Sequence, residues 1–101
     1  MRKVRKVTRV KARVSGKPRV LFIMAEGITS TPLWTRLSLS EYIYIRPPSD
    51  GILSFDFVGN PPSGTVPQVE KKVRVSKRTR APKWLKGVRV YAAQNSKVAR
   101  V

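Results

Sequence analysis

The 101-residue chain contains neither cysteine nor histidine. Lack of cysteine excludes disulfides, thiolate metal sites and a cysteine nucleophile. Lack of histidine removes the commonest metal ligand and the commonest general base. Acids are scarce, with five Asp and Glu against 22 Lys and Arg. No apolar run approaches the roughly 20 residues of a membrane-spanning helix. The longest, Val20–Ala25, is the length of a strand and falls short of the ~7–15 apolar residues of a signal peptide. The chain therefore reads as a soluble, cytoplasmic protein with no catalytic centre, no metal and no cofactor.

What is present is charge, and its distribution is uneven. Residues 1–19 carry nine Lys or Arg and no acid, residues 20–70 carry two Lys or Arg and all five acids, and residues 71–101 carry eleven Lys or Arg and no acid, giving the net +17. Two cationic ends thus flank a nearly neutral centre. Self-repulsion at this density opposes compaction, and a polyanion relieves it. The composition points to a nucleic acid bound through its phosphates, a mode that gives affinity by counterion release without base specificity. The candidate contacts are Arg2, Lys3, Arg5, Lys6, Arg9, Lys11 and Arg13 at one end, and Lys71, Lys72, Arg74, Lys77, Arg78, Arg80, Lys83, Lys86 and Arg89 at the other. The bland alternative is a solvated surface kept soluble by its charge.

The ends are patterned as well as charged. In Val10-Lys11-Ala12-Arg13-Val14, Val73-Arg74-Val75 and Val88-Arg89-Val90-Tyr91-Ala92 the apolar residues alternate with polar ones, which is the period of a half-buried strand. Val4, Val7, Val10 and Val14 also fit one face of a helix. β-Branched side chains lose rotamer freedom in helices, so a strand is expected over residues 8–14, with residues 1–7 a basic N-terminal arm. Ser15-Gly16-Lys17-Pro18 is a turn leading into a strand over residues 19–25, apolar on both sides, that closes at Glu26-Gly27. Alternation from Trp34 to Leu39 suggests another strand. Pro47-Pro48-Ser49-Asp50-Gly51 is a turn joining a strand at Tyr42–Arg46 to one at Ile52–Val58, a hairpin with Leu53, Phe55 and Phe57 inward. Further strands are expected at about 68–77 and 88–93. The sum is an all-β sandwich or small barrel of about six to seven short strands, a single domain over residues 8–101 with a basic segment at 71–101.

Three constellations bear on chemistry. Trp84, flanked by Lys83 and Lys86, could stack on a base, or it plugs one end of the fold with Leu85. Tyr91 beside Arg89 is a second stacking candidate. Asp56 with Glu70-Lys71-Lys72 matches the minimal pattern of one class of Mg²⁺-dependent nucleases, in which carboxylates hold the metal and a lysine steadies the water, but that architecture needs helices, and none is expected. A basic amphipathic helix over residues 3–14 would bind a membrane surface, although Val is a weak insertion residue. No helix-turn-helix, zinc-finger, Gly-rich phosphate loop or RNA-recognition aromatic signature is present. The expectation is an RNA-binding structural component of a ribonucleoprotein, comparable in kind to a ribosomal protein. The alternatives are a DNA-compacting or viral packaging protein, and a β-sandwich binding or adhesion module working through residues 30–67.

Overall fold

The alternating segments pair with one another so that their apolar sides coincide. In the computed structural model, which describes residues 1–101, eight strands form: β1 (Arg2–Lys3), β2 (Lys6–Ser15), β3 (Val20–Thr29), β4 (Thr35–Glu41), β5 (Ile52–Asn60), β6 (Lys71–Arg80), β7 (Gly87–Tyr91) and β8 (Ser96–Arg100). No helix is present, so none is long and apolar enough to cross a membrane. The basic helix considered for residues 3–14 is instead strand, as its β-branched content favours.

Two sheets pack face to face. One is three-stranded and antiparallel, in the order β2-β3-β6. The other is five-stranded around β5, which pairs with β4 along one edge and with β7 and then β1 along the other, β8 adding to β7. Directly opposed residues of an antiparallel pair share a face. Val10, Ala12 and Val14 of β2 lie opposite Ala25, Ile23 and Leu21 of β3, and this side enters the core. From the other sheet come Leu39, Leu53, Phe55, Phe57, Val88 and Val90. Phe55 and Phe57 are fully buried, and each contributes on the order of 2–3 kcal/mol through apolar burial. Gly27 leaves no room for a side chain: a Cβ there would stand 2.5 Å from the Lys6 carbonyl oxygen of neighbouring β2 and 3.0 Å from the Phe57 ring of the other sheet. Gly16 supplies the positive φ (86°) of the β2–β3 turn.

Several expectations change in detail. Residues 1–7 do not stand off as an arm. β1 pairs with β5, Val4 and Val7 are fully buried, and the chain crosses from one sheet to the other at Arg5. The crossing is fastened by residues 92–95. Ala93 N–H donates to the Val4 carbonyl at 2.8 Å and Gln94 N–H to that of Arg5 at 3.0 Å. The Asn95 side chain accepts from Val7 N–H and donates to Val7 O, both at 2.8 Å. β3 continues through Glu26-Gly27 to Thr29, because β2 and β6 pair with it along its whole length. β1 and β8 are additional strands, and β6 begins at Lys71 and runs on to Arg80, taking in Arg78 and Thr79.

The hairpin into β5 is real, but its first strand is Thr35–Glu41 rather than Tyr42–Arg46. Leu37 and Leu39 already supply its apolar side, and Tyr42 N–H to the Ser54 carbonyl, 2.9 Å, is the last rung. Beyond it Tyr44 packs against Trp84 while Ile43 and Ile45 stand 95% and 100% exposed. Tyr42 itself stays 37% exposed, so residues 42–45 do not form the two-faced strand expected.

Candidate nucleic-acid interface

The same alternation that fills the core sends a second set of side chains outward. On the outer face of the three-stranded sheet, β2 presents Lys6, Arg9, Lys11 and Arg13, and β6 presents Lys72, Arg74, Arg78 and Arg80. Between them β3 presents Val20, Phe22, Met24, Glu26 and Ile28. The register makes transverse rows: Arg13–Phe22–Arg78, Lys11–Met24–Ser76 and Arg9–Glu26–Arg74. A half-buried apolar stripe therefore runs between two ranks of cations, whose aliphatic stems cover its flanks.

The Phe22 row brings two cations to one ring. The Arg13 guanidinium carbon lies 4.6 Å from the Phe22 ring centroid, and that of Arg78 lies 6.0 Å away. Both are within cation–π range. An open depression of about 890 Å³ touches these rows at Lys11, Arg13, Phe22, Met24, Ser76 and Arg78 and runs past the β2 edge among inward Val10, Ala12, Ile23 and Lys77 to Ala99 and Arg100. A second, of about 520 Å³, follows at Thr8, Glu26, Ile28, Lys72 and Arg74. Eight cations thus face one acid. That acid, Glu26, accepts a 2.9 Å hydrogen bond from Arg74. None of Arg9, Lys11, Arg13, Lys72, Arg78 and Arg80 has an acidic partner within ion-pair distance.

Eight of the sequence candidates meet here: Lys6, Arg9, Lys11, Arg13, Lys72, Arg74, Arg78 and Arg80. The others lie apart. Lys77 points into the seam between the sheets, where its Nζ donates to the Leu39 carbonyl at 2.9 Å and stands 5.9 Å from the Phe55 ring. Arg5 pairs with Glu70 at 3.1 Å. Arg2 is exposed at the β1–β5 edge. Lys83 and Lys86 are exposed in the connection after β6. Trp84, half-buried against the core, meets Tyr44 edge-on at 6.0 Å, the plug position rather than a free stacking surface.

Lys3 and Arg89 belong to the outer face of the five-stranded sheet. There Asp56 forms a 3.6 Å ion pair with Lys3 and accepts a 2.9 Å hydrogen bond from the Tyr42 hydroxyl. Tyr42 stacks on Tyr91 with centroids 5.8 Å apart, and Arg89 and Lys3 approach the Tyr91 ring at 6.0 and 5.9 Å. Desolvation pushes the Tyr42 hydroxyl above its ordinary pKa of 10.0, and its hydrogen bond to Asp56 and that carboxylate's charge act in the same direction. Asp56 and Lys72 lie on opposite outer faces of the sandwich, so the carboxylate–lysine arrangement of a nuclease is not assembled. No group of three acidic side chains that could hold a metal ion is present.

Sequence reasoning missed Phe22. A strand apolar on both sides reads as fully buried, yet its neighbours are basic at every second residue, and that pairing was the available sign that one side faces out. The chain matches no protein-family model, no curated protein and no solved structure.

Proposed function

We propose that this protein is an RNA-binding structural component of a ribonucleoprotein, docking through the outer face of the β2–β3–β6 sheet. One observation carries the reading: eight cations, one of them tied to the only acid, surround a half-exposed aromatic on a broad, shallow face. Cations held in rank by strands neutralise phosphates and release counterions, and Arg forks hold phosphate oxygens in two-point contacts. A broad, open face with a half-exposed ring suits folded RNA, which is recognised largely by shape and by stacking on exposed rings and guanidinium planes.

The test is affinity for a folded RNA, a single-stranded DNA and a duplex DNA across a salt titration. The expected result is a log–log slope of about −0.7 to −0.9 per phosphate neutralised, with folded RNA bound most tightly. Equal, length-unlimited coating of duplex DNA favours a compacting protein instead. Weak binding that ignores salt rejects the nucleic-acid reading.

A further inference from the structure

The apolar stripe between the two cationic ranks is wasted on a ligand that offers only phosphates. We infer that this face takes a single-stranded segment, its backbone along β2 and its bases turned onto β3, with one base stacked on Phe22. The inference rests on the nucleic-acid reading above and deepens it by naming the strand state, the polarity of the site and the platform residue.

The two ranks are not equivalent. On β6 Arg74 is committed to Glu26 at 2.9 Å, and Ser76 interrupts the rank. On β2 Arg9, Lys11 and Arg13 follow at every second residue without an acidic partner. Alternate residues of a strand repeat at about 6.8 Å, a step that suits the successive phosphates of an extended strand. From that rank the next structure inward, about 4.8 Å away across the sheet, is the β3 stripe of Phe22 and Met24. A base reaching inward from a phosphate held at Lys11 or Arg13 therefore lands over Phe22 and Met24, beside the short Ser76 side chain. A duplex keeps its base faces stacked inside and offers nothing to this stripe.

Arg13 is the moving part. In the free protein its guanidinium rests against the Phe22 ring at 4.6 Å. An arriving phosphate draws it outward and uncovers the ring for the base. Arg78, on the other side at 6.0 Å, borders the stacked base from the β6 flank.

The experiment uses fluorescein-labelled RNA of about 12 nucleotides, within the span one small β fold covers, as an unstructured single strand and as the matching duplex, with heparin as a polyanion lacking bases. Proteins are the wild type, Phe22→Ala, Phe22→Leu and Phe22→Trp. Phe22→Leu keeps an apolar side chain of similar length, so a loss shared by Leu and Ala but not by Trp reads stacking rather than folding, and circular dichroism checks each variant. The single strand is expected to bind at least about tenfold tighter than the duplex. Loss of the ring is expected to cost about tenfold on the single strand, the scale of one stacked base, with the salt slope and heparin affinity unchanged. Equal affinity of wild type and Phe22→Leu for the single strand, with binding still steep in salt, overturns the stacking site while leaving phosphate docking intact. Failure of wild type to bind RNA or heparin at low salt overturns both.

Discussion

The two outer faces of this sandwich are built by the same rule and reach opposite ends. On the five-stranded sheet, outward residues include Ser38, Ser40, Ser54, Asp56 and Asn60, its acid Asp56 is engaged by both Lys3 and Tyr42, and its other cation, Arg89, lies over the Tyr91 ring. That face largely satisfies itself. On the three-stranded sheet seven of eight outward cations, the committed Arg74 aside, stand beside an apolar stripe without acidic partners. On that face the fold supplies a single counter-group, Glu26. The two faces differ both in how many cations they carry and in how many of them the fold itself pairs.

The largest expected effect sharpens the contrast between the core beneath both faces and the ring on one of them. Phe57→Ala is expected to cost about 3–5 kcal/mol, a large share of a small domain's stability, whereas Phe22→Ala costs under about 1 kcal/mol, as a partly exposed surface position does. Thermal or urea denaturation measures both, and an equal loss would place Phe22 in the core. Next, Arg9, Lys11 and Arg13 changed together to Gln are expected to flatten the log–log salt slope on single-stranded RNA by about 2 units, while Lys3 and Arg89 changed to Gln leave it within about 0.5 of wild type. A similar change from both sets would erase the distinction between the faces. Glu26→Gln removes the single acid of the basic face and frees Arg74, so affinity is expected to rise about two- to threefold at low salt, on the scale of one exposed ion pair, and the gain should vanish at high salt.

The smallest effect lies on the self-satisfied face. The Tyr42 pKa is raised in the folded protein, so the stability carried by its neutral hydroxyl is present below about pH 10 and is lost as pH rises through the shifted value. Denaturation compared at neutral and strongly alkaline pH should show a small drop in wild type that Tyr42→Phe lacks. A drop of equal size in both would assign the alkaline loss to other groups.

Much of this was legible in the chain. Val10-Lys11-Ala12-Arg13-Val14 and Val73-Arg74-Val75 announce strands with one basic side, and Leu53, Phe55 and Phe57 announce the core side of β5. Periodicity reports only the chain's own two faces, so what depended on pairing stayed hidden. Tyr42–Arg46 alternates as a strand does, but the edge of β5 was already taken by Thr35–Glu41. Val4 and Val7 sit in a sequence as basic as any tail, and only the turn at 92–95 shows why they are buried. Lys77 has the spacing of a surface cation, but its register puts it opposite Ile23, on the inward side.

The Asn95 clamp on Val7 has a consequence in time. It closes a loop of 88 positions, and ring closure over such a distance costs entropy that only the finished contacts return. Folding dominated by pairings this remote is slow for its size. β2 finds its main partner locally, in β3 across the Gly16 turn, but its first residues stay unfastened until the chain's last strands bring Asn95 to Val7.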